Sequence, residues 1–269
     1  MPITDIDIAN MGLLRIGSYK ILTFAERIDI DLQNMYNQAR DEVLSFRPWE
    51  FALKTRAVSA AGLLNCSAKT ITFVNGTPAT ITDSGSGFVT NGFEAGDLVL
   101  VVGSASNNRE YRIETVTAGT LTLVLRDKAV AETLVNSSTL KLYLKSSFSY
   151  GFTRSYKYKK PTDYIDTFSV NGIIKYRLPG WKGEGIYLLT NEIDEYDQII
   201  IQYVRQITDP LLFPSLFIDS LVLNLAANLA ITISNNVNLR QLLLQELQIK
   251  IGSPLTPNES ESKESSADK

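Results

Sequence analysis

Apolar residues recur at helical spacing near both ends of this chain and at strand spacing between them. Ile6, Ala9, Leu13 and Ile16 lie on one face of a short helix. Thr4 and Asp7, three apart, outline a capping box at its start, and Gly17 is a natural C-terminal stop. A second stripe, Ile28, Leu32, Met35, Tyr36, Ala39 and Val43, is flanked by Arg27, Asp29, Asp31, Arg40, Asp41 and Glu42. It predicts a longer amphipathic helix that Pro48 must end, because proline disfavours the helical region for the residue before it. Trp49 and Phe51 then supply two large apolar anchors. Near the other end, Asp209 is placed to cap a helix starting at Pro210, where a missing N–H costs nothing. Within Leu211–Ile233 the polar residues Ser220, Asn224, Asn228 and Thr232 come every fourth position, with Asp219 beside them. That stripe suits an amphipathic helix in a bundle better than a lipid-facing span, so no membrane partner is expected. A last helix is predicted from Asn238 through Leu239, Leu242, Leu243 and Leu247 to Ile251, stopped by Gly252 and Pro254. Its leucines occupy more than one face and call for cover by this chain or another copy of it.

Residues 63–145 have a different texture. Short β-branched runs at 70–74, 97–102, 111–116 and 120–125 are punctuated by Gly76, Gly92, Gly96, Gly103, Asn107, Asn108 and Gly119. Strands at such regular intervals predict a small all-β barrel or sandwich. Residues 146–209 return to strands around Pro161-Thr162-Asp163-Tyr164 and Ile199–Val204. The expected organisation is a discontinuous helical and β core over 1–62 and 146–252, an inserted β domain at 63–145, and an extended polar tail at 253–269. The tail's serines, acids and lysines cannot bury enough apolar area to fold alone.

The chain has 269 residues, 44% of them hydrophobic, and a formal net charge of −3, so a real core is expected without a basic field. Charge stays balanced along the chain, which argues against nucleic-acid binding as the primary task; a passage for DNA would not require a basic excess. There is no histidine, which removes histidine-dependent triads, histidine-ligated metals and the commonest general base. The single cysteine, Cys66, excludes an intrachain disulfide and a cysteine-rich metal site. A two-carboxylate hydrolase is the chemistry left open, from Asp163 with Asp166, or from Glu192, Asp194, Glu195 and Asp197. Sequence neighbours of this kind more commonly form a solvated acidic turn. The glycines around Trp181 lack dinucleotide-binding spacing and predict a turn. Arg154, Lys157, Lys159 and Lys160 alternate with Tyr156 and Tyr158. They could track a phosphate backbone in a DNA channel, or they could be an exposed strand with tyrosines inward, which the missing wider basic field favours. No catalytic, cofactor-binding or metal-binding residue is expected.

The order of elements narrows the reading. A short helix ending at Gly17, a longer one before Pro48-Trp49-Glu50-Phe51-Ala52, an Asp163-Tyr164 turn, and Asp209-Pro210 leading into Phe213, Phe217 and a long helix follow one another. This arrangement resembles the tail tubular protein A-like head-to-tail adaptors of short-tailed bacteriophages, over residues 3–57 and 158–250. The resemblance implies an α+β fold with a helical bundle core, flanking strands and the inserted β domain. It also implies a non-enzymatic protein of the virion's head–tail junction, assembled in the host cytoplasm. Its partners would be other copies in a dodecameric ring, the portal, tail tube or nozzle proteins, and double-stranded DNA passing without sequence recognition. Gly17, Pro48, Trp49, Phe51, Asp163, Tyr164, Asp209 and Pro210 are the structural signature positions. Pro254, Glu259, Glu261, Glu264 and Asp268 are candidates for partner docking by position. The alternatives are a tail component that binds or cleaves cell-surface polysaccharide, and a head-decoration or baseplate protein.

Overall fold

A computed structural model describes residues 2–26, 31–145, 156–174, 180–193 and 196–252. The described helices are α1 (Asp5–Arg15), α2 (Leu32–Phe46), α3 (Ser215–Thr232) and α4 (Val237–Gly252). The strands are β1 (Leu53–Ser59), β2 (Leu64–Asn65), β3 (Thr70–Val74), β4 (Thr80–Asp83), β5 (Leu98–Val102), β6 (Glu110–Val116), β7 (Thr120–Leu123) and β8 (Glu132–Val135). They continue with β9 (Lys141–Lys145), β10 (Tyr156–Lys159), β11 (Tyr164–Val170), β12 (Ile173–Ile174), β13 (Trp181–Glu184), β14 (Tyr187–Thr190) and β15 (Gln198–Arg205). The fold is mixed α+β with two antiparallel sheets.

Two compact units divide the chain. A helical unit comprises Met1–Lys54, Asp163–Phe168 and Gln202–Lys269; a strand unit comprises Thr55–Thr162 and Ser169–Ile201. Three of the four boundaries fall inside β1, β11 and β15 and the fourth in the turn between β10 and β11, not at the expected 62/63 and 145/146 junctions. The reason is pairing: β10 joins β9 on one side and β14 on the other, so residues after 145 continue the sheet of the residues before it.

In the helical unit, α1 begins as its sequence predicts. Thr4 Oγ1 accepts from the Asp7 N–H at 3.2 Å, and Asp7 Oδ2 accepts from the Thr4 N–H at 2.9 Å. It ends in a Schellman turn, with Ser18 N bonded to Leu13 O at 3.0 Å and Gly17 N to Leu14 O at 3.1 Å. That turn needs Gly17 at φ +75, a conformation glycine adopts without strain. Helix α2 is capped by Asp31, whose side chain accepts from Asn34 N. Its buried face is Leu32, Tyr36, Ala39, Val43 and Leu44; Ile28 lies outside the described residues.

Helix α3 is the centre of this unit and packs with α1, α2 and α4. It is apolar on nearly all sides, as a core helix should be. By length and composition it could cross a membrane, and 61% of it is buried inside the protein. The expected polar stripe is solvated only toward its end: Ser220 and Asn224 are buried, Asn228 is half-buried and Thr232 is exposed. Ser220 Oγ donates to Leu216 O at 2.8 Å, and buried Asn224 donates to Ala39 O at 3.3 Å and Glu42 Oε2 at 2.9 Å. The helix also starts later than expected. Asp209 Oδ1 accepts from Leu211 N at 3.0 Å, but it caps only a 3-10 turn, Pro210–Leu212. Pro214 holds Phe213 in an extended conformation and is itself extended at ψ 154, so α3 begins at Ser215. Against α3, α4 buries Leu243 and Leu247 and leaves Leu242 62% and Ile249 73% exposed.

In the strand unit, the larger sheet runs β13-β14-β10-β9-β5-β6-β7-β4-β3-β8, with β2 added on β9. Among the described residues this path has two ends, so the barrel form of the expected β domain is not closed. The alternation of Thr70–Val74 and Thr80–Asp83 turns Ile71, Phe73 and Ile81 into the core beside Leu121, Leu123 and Tyr111. A register shift between Ile113 and Thr115 lets β6 bend between its neighbours β5 and β7. The smaller sheet has the order β1-β15-β11-β12, so among the described residues β1 and β12 are its edge strands.

Candidate functional site

Four of the eight signature positions, Trp49, Phe51, Asp163 and Tyr164, fall in two clusters within the helical unit, while Gly17 ends α1 and Asp209 and Pro210 open a 3-10 turn outside them. The first is aromatic. Trp49 and Phe51 each stand edge-on to Phe217 with ring centroids 5.1 Å apart, and Phe213 lies 4.7 Å from Phe217. Trp49 is 4% exposed, and its Nε1 donates to Val43 O at 2.7 Å. That bond satisfies one of the carbonyls that the end of α2 leaves without an intrahelical partner. Pro48 therefore does two things: it stops α2, and it turns the chain so the next side chain closes that helix end. The Arg47 guanidinium sits over the Trp49 ring at 5.1 Å and donates to Ile251 O at 3.3 Å.

The second cluster surrounds Asp163. Its Oδ1 accepts from the Tyr203 hydroxyl at 2.8 Å, and its Oδ2 pairs with Lys54 Nζ at 3.2 Å. Burial raises the carboxyl, but the hydrogen bonds from Tyr203 and Lys54 outweigh it and hold the group below its ordinary range. The Asp163 carbonyl accepts from Gln206 N, and the Tyr164 ring stacks on Tyr203 with centroids 6.1 Å apart. Asp163 is thus a clasp between β11 and β15.

Three of the carboxylates considered for hydrolysis, Asp163, Asp166 and Asp197, are engaged in structural bonds. Asp166 Oδ1 accepts from Thr167 N. Asp197, at φ +61, takes Lys141 Nζ and the Tyr143 hydroxyl, each at 2.6 Å. Asp194 and Glu195 lie outside the described residues. Among the described residues no three His, Cys, Asp or Glu side chains group as metal ligands. Cys66 is buried, which pushes its thiol up to about 11. The glycine run around Trp181 is not one turn: Trp181–Glu184 is strand β13, and only Gly185 and Ile186 form the two-residue turn of the β13–β14 hairpin.

The basic run separates into different roles. Arg154 lies outside the described residues. Lys157 is not a surface cation: it is 5% exposed and pairs with Asp97 Oδ1 at 2.6 Å. Both faces of β10 are covered, so simple in–out alternation fails there. Burial raises the Asp97 carboxyl despite Lys157, and Asp97 Oδ2 has no hydrogen-bond partner. Tyr158 is buried and donates to Glu192 O, so neither it nor Tyr156, packed on Tyr143, presents a face for base stacking. Lys159 and Lys160 instead reach a groove of 390 Å³ in the strand unit, walled by residues 56–59 and 159–162. The two walls pair at Ala60 and Tyr158 and then diverge. Three cations, Arg56, Lys159 and Lys160, line the groove with no carboxylate and no aromatic ring among its walls. Lys160 is positioned by donation to Gly185 O at 2.8 Å. Arg56 is the participant that sequence reasoning missed, because its partners lie a hundred residues away in an otherwise balanced chain.

Pro254, Glu259, Glu261, Glu264 and Asp268 lie outside the described residues. No protein-family model matches the chain, and no curated protein matches it.

Proposed function

We propose that this chain is a structural, non-enzymatic virion protein that forms a dodecameric adaptor ring between the portal and the tail of a bacteriophage. In this reading the helical unit is the adaptor core, a helical bundle with flanking strands. The strand unit is a sandwich-like domain inserted in the sequence of that core. The ring continues a channel through which double-stranded DNA passes without sequence recognition, and tail tube or nozzle proteins attach below. It works at the head–tail junction of the virion, after assembly in the host cytoplasm, and requires no cofactor.

One observation carries this reading. The two segments that most resemble the adaptors, Pro48–Ala52 and Asp209–Phe217, are far apart in sequence yet share one aromatic cluster around Phe217. Their order is therefore accompanied by a common packing task. The exposed Leu242 and Ile249 on α4 add support, since an assembled ring gives such side chains a neighbour. Native mass spectrometry and negative-stain imaging of the purified chain test the proposal, together with co-sedimentation on portal-containing heads. Rings that attach to such heads are the expected outcome. A monomer at all concentrations that fails to attach would refute it.

A further inference from the structure

The basic groove of the strand unit combines two features that point to a peptide. Its first wall, residues 56–59, belongs to β1, the terminal strand of the smaller sheet. A sheet edge offers main-chain hydrogen bonds to an added extended segment, and these four residues give it about 13 Å of contact at the ordinary rise of a strand. Its charge is of one sign, with Arg56 and Lys159 exposed and Lys160 anchored on Gly185 O. A nucleic-acid strand is a poorer fit, because single-strand sites combine cations with aromatic platforms and none lines this groove.

We infer that the groove receives the acidic C-terminal segment of a second copy of this chain, around residues 258–264. That sequence, Asn-Glu-Ser-Glu-Ser-Lys-Glu, carries Glu259 and Glu261 two positions apart. Laid along β1 as an added strand, Glu259 and Glu261 fall on one side, toward Arg56 and Lys159, with Ser260 between them on the other; Lys263, next on the first side, lies beyond the four residues of this wall. The segment after Gly252 holds Glu259, Glu261, Glu264 and Asp268 against Lys263 and Lys269, so its net charge opposes that of the groove. The inference rests on the ring reading only in needing a second copy; each copy would both give a segment and receive one.

A zero-length carbodiimide cross-link, which joins an amine to a carboxylate in direct contact, tests this on the full chain. Equal parts of isotopically heavy and light protein are mixed, treated, digested and analysed by mass spectrometry. Mixed heavy–light cross-links from Lys159 or Lys160 to Glu259, Glu261 or Glu264 are expected, well above those from Lys128. Their yield should fall severalfold from 0.1 M to 1 M salt, as the screening length shrinks from about 10 Å to about 3 Å. The full-chain R56E variant, folded as judged by circular dichroism, should lose most of the same cross-links. Cross-links confined to single copies, or tail carboxylates joined equally to all exposed lysines, would overturn the inference. So would protection of Lys159 by an added oligodeoxynucleotide but not by a peptide of residues 253–269. Native mass spectrometry of the same mixture separates the two proposals: rings without groove cross-links refute this one alone, and a monomer refutes the ring.

Discussion

Replacing Trp49 by alanine tests how the helical unit is held together. The indole is 4% exposed, stands edge-on to Phe217 at 5.1 Å, and donates to Val43 O at 2.7 Å. A tryptophan ring of this kind removes about 150–250 Å² from water, which is worth roughly 4–6 kcal/mol at about 25 cal/mol per Å². Partial collapse of the neighbours around the hole returns some of this, while the orphaned Val43 carbonyl adds about 1 kcal/mol to the cost. The expected loss is about 3–5 kcal/mol, in line with emptying a buried large aromatic site. All four described α-helices lie in the helical unit, so helical circular dichroism under urea follows that unit. Trp181 fluorescence follows the strand unit in the same variant. The helical transition should move to much lower urea and the Trp181 transition should move far less. In a double-mutant cycle with Phe217→Ala, a coupling of about 0.5–1.5 kcal/mol is expected for the ring pair. A single-variant loss below about 1 kcal/mol, or no coupling, would refute the aromatic cluster as the clamp of this unit.

Three further outcomes follow from the same geometry. Asp163 has a folded-state pKa below its unfolded value, so its clasp is fully present above about pH 4 and is lost as pH falls through the folded pKa; urea midpoints of the wild type should drop with acid more steeply than those of Asp163→Asn. Lys157→Met alone leaves Asp97 buried without its cation and should cost about 3–5 kcal/mol, whereas Asp97→Leu with Lys157→Met should recover most of it in thermal unfolding. Leu242→Glu with Ile249→Glu, on the exposed face of α4, should change unfolding of the isolated chain by no more than about 0.5 kcal/mol and yet abolish the proposed ring in light-scattering mass measurements.

Local rules make both ends of α1 and the C-terminal end of α2 legible in the amino-acid sequence. A Thr–Asp pair three apart, a glycine after an apolar stripe and a proline after another each act within a few residues. The short strands between Thr70 and Leu123 are equally visible, since alternation and turn glycines are local. What escapes is decided by distant partners. Lys157 reads as outward by alternation, but β10 is an inner strand whose second face is covered and supplied with Asp97, sixty residues earlier. Asp209 has the residue types of a helix cap, and a second proline at 214 reduces its reach to one turn. The groove cations need β1 and the end of β10 to be brought together at Ala60, which no window of sequence contains. The extension of the strand unit past residue 145 is hidden for the same reason.

The division of the helical unit among three stretches of chain has a consequence in time. Its first stretch ends at Lys54 and its last begins at Gln202, about 150 residues later. At a synthesis rate of about 5–20 residues per second, α1 and α2 leave the ribosome roughly 7–30 s before α3 exists to cover them. During that wait the stripe Leu32, Tyr36, Ala39 and Val43 has no partner, and Trp49 has no Phe217 to meet. The strand unit, whose last residue is Ile201, can complete itself before α3 emerges. On the ribosome the part of the molecule that begins first is therefore the part that finishes last, and its nascent helices are the natural clients of a holding chaperone.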